Sequence, residues 1–138
     1  MVQDVAYDDI KIGDTVSFTK TITQADVTLY AGISGDFNPV HMSKTFGEGS
    51  MFKSRIAHGM LTAGLISAAI GTGLPGIGTI YLSQSLTFKA PVLFDDTITA
   101  TVEVIAKNDA KHRLTLHTYC TNQDGIVVLD GEAVVLKK

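Results

Sequence analysis

Asp36-Phe37-Asn38-Pro39-Val40-His41 puts a carboxylate and an imidazole on one short, helix-breaking connector. A little downstream, Ala57-His58-Gly59-Met60 opens an apolar, uncharged stretch that reads as a buried helix. Carboxylates and imidazoles are the side chains best suited to moving protons near neutral pH. The leading end of a helix offers unpaired N–H groups and the positive pole of its dipole, which favour a developing oxyanion. An acid/base pair facing such an end suits a reaction that transfers a proton while charge gathers on an oxygen.

Asp36 and His41 are too far apart for adjacent turns of one helix, and Pro39 between them disfavours a helix. A folded-back loop is the geometry that brings them together. Each also has a plainer role. Asp36, beside Gly35 and Asn38, is well placed to form a turn or cap a helix. His41 taken alone reads as a structural histidine with its bonds satisfied. His58 is within reach of the site, but its plainer role is to fix the loop entering the helix. His112 and His117 fall on late strands with parities that put them on opposite faces, so they are not a metal pair.

The bulk composition narrows the function further. The 138 residues fit one domain spanning 1–138, and 45% hydrophobic content supports a packed core. A net charge of −3 with no Lys/Arg-rich run argues against nucleic acid or an anionic membrane as partner. A local basic patch for one phosphorylated ligand stays compatible with it. Cys120 is the single cysteine, so neither an intrachain disulfide nor a cysteine metal cluster can form, and a cytoplasmic setting fits. The amino end lacks the basic start and apolar run of a signal peptide. Between Arg55 and Lys89 no charged residue occurs, yet its continuous apolar part is about a dozen residues, short of the ~20 needed to span a bilayer.

Periodicity supplies the elements that must hold the connector. Val16, Phe18 and Ile22 share one face of a strand over 14–22, with Thr15, Ser17, Thr19 and Thr21 on the other. Thr23 to Asp26 resembles a capping box, which predicts a short helix over 24–33 with Val27, Tyr30 and Ala31 inward. Turn chemistry from Ser34 to Pro39 ends it, and residues 42–56 read as an irregular segment with short helical turns. The buried helix covers 59–70. Alternating sets at Ile80, Leu82, Leu86, Phe88, then at Ile98, Ala100, Val102, Val104, then at Leu114, Leu116, Thr118, Cys120 predict three strands. Asn122-Gln123-Asp124-Gly125 is a hairpin signal before a last strand over 126–136. The class is α+β, an antiparallel sheet wrapped around one central buried helix.

Tyr30-Ala31-Gly32-Ile33-Ser34-Gly35-Asp36-Phe37-Asn38-Pro39-Val40-His41 resembles the signature of the MaoC-like, R-specific enoyl-CoA hydratases. Arg55 to Leu61, Tyr81 to Val92 and Gly131-Glu132-Ala133 are similar to that family as well, so the likeness covers nearly the whole chain. The Asp-x-Asn-Pro-x-His core is the specific part; Ser43 and Lys44 stand where many relatives carry an acidic residue. The resemblance implies a hot-dog fold, usually a homodimer joined edge to edge. It implies reversible syn addition of water to a trans-2-enoyl thioester, giving the (3R)-hydroxyacyl thioester without metal or redox cofactor. By the same likeness Asp36 and His41 are the catalytic pair gripping one water, and which is the formal base stays open. Asn38 would hold the loop, Gly59 would donate its backbone N–H to the thioester oxygen, and Ser67 would line the site. Gly59 also reads as a packing glycine, and Ser67 as a serine bonding back to its own helix.

Three rivals share the fold: a thioesterase, a dehydratase of acyl-carrier-protein thioesters, and a non-catalytic acyl-binding partner subunit. The Asn38-Pro39-Val40-His41 continuation argues against the first, and the presence of both Asp36 and His41 against the last. No strained Gly-x-Ser-x-Gly elbow and no glycine-rich dinucleotide loop occur.

Overall fold

The computed structural model describes residues 1–138. Strand β1 (Thr15–Thr21) leads into helix α1 (Gln24–Ser34), two short helices α2 (Pro39–Met42) and α3 (Lys44–Gly49), and the long helix α4 (Gly59–Thr72). Strands β2 (Ile80–Gln84), β3 (Thr87–Phe88), β4 (Thr97–Asn108), β5 (Arg113–Thr121) and β6 (Val127–Leu136) follow. All pairings are antiparallel, in the order β1-β4-β5-β6-β2, with β3 also on β6. The sheet curves over α4, which packs across β1, β4 and β5, the hot-dog arrangement that the resemblance implies.

Alternation explains how the sheet faces. Ile98, Ala100, Val102 and Val104 on β4 and Leu114, Leu116 and Cys120 on β5 are fully buried against Leu65, Ile66, Ala69 and Ile70 of α4. Each fully buried aliphatic contributes about 1.5–3 kcal/mol, so this layer dominates the stability. The opposite face of β1 and β4 carries hydroxyls in register, with Ser17–Thr101, Thr19–Thr99 and Thr21–Thr97 bonded at 3.2, 2.9 and 2.8 Å.

Four expectations change. Pro39 opens α2 instead of breaking a helix: at the first helical position its missing N–H costs nothing and its φ is already set, while Asn38 caps the turn. The strand expected across Ile80 to Phe88 is two strands, separated at Ser85 and Leu86; Ser85 still donates its N–H to the Glu132 carbonyl at 2.9 Å, and its own carbonyl lies against the backbone of Gly131. A Cβ on Gly131 would lie 1.8 Å from that oxygen. His112 sits in the β4–β5 turn at φ 50°, stacked on Tyr7, and not on a strand. Finally, α4 is buried on one side only: Met60, Gly64, Ser67 and Gly71 form an exposed stripe along the other.

The capping box is present as expected, with Thr23 Oγ1 accepting from the Asp26 N–H and Asp26 Oδ2 accepting from the Thr23 N–H. The hydrogen bond from Lys20, then that from the Thr23 backbone, hold the Asp26 carboxyl below its ordinary 3.8. Its contribution to stability is therefore present above that value and lost as the pH falls through the lower folded one. Thr23→Ala should cost about 1 kcal/mol in urea unfolding at pH 7. Asp26→Asn should also destabilise at pH 7, and its difference from wild type should shrink as the pH is lowered past 3.8; a constant difference would contradict the assignment.

Candidate active site

The connector after α1 is built by successive local hydrogen bonds. Ser34 Oγ donates to the Tyr30 carbonyl at 2.8 Å and accepts from the Asp36 N–H at 3.1 Å. Gly35 takes the left-handed conformation (φ 79°) that closes α1. The Asp36 carboxylate then accepts from the Asn38 N–H at 3.1 Å, and Asn38 Oδ1 accepts from the Val40 N–H at 3.2 Å. These two linked side-chain turns reverse the chain and deliver His41 back toward Asp36.

A second segment receives it. Ala57 donates its N–H to the Val92 carbonyl at 2.8 Å, and Ile56 bridges Leu93, so residues 56–58 are pinned beside the sheet. The Ile56 carbonyl lies 2.7 Å from His41 Nδ1. A carbonyl only accepts, so Nδ1 carries the proton and Nε2 is left with a free lone pair. By the same logic His58 Nε2 donates to the Asp36 carbonyl at 2.9 Å, leaving His58 Nδ1 bare. The His41 and His58 rings lie 3.9 Å apart, and Tyr30 lies 4.8 Å from His58 on its other contact.

Asp36, His41 and His58 thus each bring a ligand atom within 4.8 Å of the others. Such a set invites a divalent ion, but its donors fit one poorly. His58 has committed Nε2 to a carbonyl, and its Nδ1 is sealed from solvent. The cluster is better suited to holding a water or a proton. His41 and His58 are buried while Asp36 is exposed.

A cleft of about 610 Å³ opens onto this cluster. Its walls are mainly apolar, with Phe52, Ile56, Met60, Phe88 and Val92 among them, and Lys89 is the one cation in the lining. Gly59 starts α4 in the wall, and a Cβ there would lie 2.6 Å from the Phe88 ring. Any side chain at 59 would push the Phe88 ring away from the helix start. The other three α-helices have side-chain caps from Thr23, Asn38 and Ser43; α4 has none, so its first N–H groups face the cleft unclaimed.

Of the residues singled out in the sequence, Asp36, His41, His58 and Gly59 meet at one cleft, and Asn38 supports them from behind. Ser67 does not. Eight residues beyond Gly59 it is rotated by about 80°; it stands on the exposed side of α4, neither lining the cleft nor bonding back to its helix. Thr62, one turn after His58, takes that place in the wall. Tyr30, Thr62 and Phe88 also line the cleft, and nothing in their sequence spacing marks them for it. Cys120 is buried, which pushes its thiol up to about 12 and makes it unreactive.

Residues 9–123 match the family model described as MaoC-like domain. The chain is 51% identical over 130 residues to the (R)-specific enoyl-CoA hydratase of Rhodospirillum rubrum, covering 94% of this chain and 90% of the relative. It is 46% identical to the 3-hydroxybutyryl-CoA dehydratase of Methylorubrum extorquens, covering 94% and 82%. Among solved structures, the unliganded R-hydratase PhaJ1 of Pseudomonas aeruginosa superposes with a TM-score of 0.94 at 44% identity, covering 99% of this chain and 87% of that one.

The hydrogen bonds fix opposite tautomers for the two histidines. Long-range ¹H–¹⁵N spectra should find the proton on Nδ1 of His41 and on Nε2 of His58. The reverse pattern at either ring would remove the site geometry described above.

Proposed function

The chain belongs to the MaoC-like domain family, and from that premise we propose that it is an (R)-specific enoyl-CoA hydratase. It adds water reversibly to a trans-2-enoyl-CoA to give the (3R)-3-hydroxyacyl-CoA. The observation that carries this reading is a bare imidazole nitrogen beside a carboxylate, in an apolar cleft that also opens on the uncapped start of a helix.

In this proposal the acyl chain lies in the apolar cleft, with the thioester carbonyl toward the Gly59 N–H. A water sits between the Asp36 carboxylate and His41 Nε2. As its oxygen bonds the β-carbon, Nε2 takes its proton and the carbon–carbon π pair moves toward the thioester oxygen. The enolate so formed is stabilised by backbone donors at the helix start. The imidazolium, steadied by Asp36, then returns the proton to the α-carbon. Because one side of the cleft supplies both the hydroxyl and the proton, the addition is syn. Asn38 keeps the two groups in register through its cap, and Lys89, exposed at the cleft, suits the phosphates of CoA. Run backwards, the same steps dehydrate the hydroxyacyl thioester.

A homodimer and a cytoplasmic setting are part of the proposal. Strand β2 ends the sheet with Ile80, Tyr81 and Leu82 between 38% and 49% exposed, an apolar edge that a soluble monomer leaves open to association. A second copy pairing there would extend the sheet, and the exposed stripe of α4 lies open to the same kind of cover. No helix of the chain is long and apolar enough to cross a membrane.

With crotonyl-CoA the purified chain should remove the enoyl absorbance without releasing free thiol; thiol release with the absorbance intact would make it a thioesterase. Asp36→Ala and His41→Ala should each lower kcat by about 10²–10⁴-fold with the fold retained. Near-normal turnover in either variant would break the assigned pair. Sedimentation should give a dimer for wild type and a monomer for Leu82→Lys; a monomeric wild type would remove the dimer from the proposal.

A further inference from the structure

We propose that His58 is a positioning residue, kept at a cost in stability, that locks the Asp36 backbone and the His41 ring against the start of α4. The proposal deepens the hydratase reading and rests on it. His58 is 2% exposed and touches three parts of the site at once. Its Nε2–H holds the Asp36 carbonyl at 2.9 Å, its ring lies 3.9 Å from that of His41, and its own carbonyl accepts the first two helical bonds of α4, from Leu61 and Thr62. A shift of this one residue therefore moves the carboxylate and the imidazole, through its ring, relative to the helix start that its backbone holds.

Two features of the residue work against stability. Its Nδ1 is buried without a partner, one turn from the equally unpartnered, buried hydroxyl of Thr62. A buried acceptor left unpaired is unfavourable, and an apolar side chain of similar size would avoid it. His58 also occupies the N-cap of α4, where Ser, Thr, Asp or Asn would stabilise the helix, and it provides no cap bond. Tyr30, the Asp36 carbonyl, His41 and Thr62 surround the ring, and none of them supplies the missing donor to Nδ1. Fold stability alone does not account for a histidine at this position, whereas site geometry does.

The test compares His58→Leu, which removes the bond to Asp36, with His58→Gln, whose amide N–H reaches the same place. Wild-type turnover of crotonyl-CoA is the control: if it is absent, the hydratase reading fails and not this one. Given that activity, His58→Leu should lower kcat by about 100-fold with KM changed less than about threefold, and with a melting temperature equal to or above that of wild type. His58→Gln should recover at least about tenfold of the loss. Amide shifts in His58→Leu should concentrate at residues 36–41. Wild-type kcat in His58→Leu, equal losses in both variants, or a melting temperature well below wild type in His58→Leu would each overturn the proposal.

Discussion

The Ile56 carbonyl is the point on which the site turns. It accepts from His41 Nδ1 at 2.7 Å, and that one bond settles the tautomer, orients the ring and ties the connector to the segment entering α4. The bond is dependable because Ile56 is itself held from both sides. Its N–H donates to the Val40 carbonyl at 3.3 Å, and Ile56 and Ala57 are laced to Leu93 and Val92. A histidine oriented by a backbone carbonyl cannot lose its acceptor through side-chain motion, which makes the free Nε2 a fixed feature of the cleft.

The cluster divides its polar groups between solvent and core in the way their solvation costs require. The carboxylate of Asp36 stays exposed, since an anion is expensive to bury. The two imidazoles go inside, where the neutral ring is tolerated as long as each donor finds an oxygen. The apolar walls from Phe52, Ile56, Phe88 and Val92 keep the effective dielectric low around the place where charge would develop. The same low dielectric makes the unpartnered Nδ1 of His58 a true expense rather than a formality.

Much of this was legible from the residues, and the part that was not has definable causes. Capping box, turn and period are local signals, so α1, the strands β4 to β6 and the Asn122–Gly125 hairpin follow directly from the chain. Asp36 and His41 could be paired because the turn-forming residues between them leave few conformations. What failed depended on distant partners. Pro39 reads as a breaker until Asn38 is known to cap it. The break at Ser85 falls where Gly131, 46 positions on, comes close, an approach that has no sequence period. Ser67 is a different case: it stands on the exposed stripe of α4, and its place at the site belongs to the proposal of a second copy covering that stripe. Thr62 could have been found: it follows His58 by one turn and so shares its wall.

Gly59 joins the two halves of the design. The absent side chain lets the Phe88 ring approach the start of α4, and a Cβ would collide with it at 2.6 Å. That contact makes one wall of the cleft from two elements far apart in sequence, a sheet edge and a helix end. It also keeps the first turn of α4 uncovered by its own side chain, so the donors there meet the cleft directly. A larger residue would lose twice, by pushing the aromatic wall away and by screening the N–H groups. The helix start is thus specified by subtraction: no cap from residue 58 and no side chain at 59, which leaves the Gly59 N–H open on the cleft side.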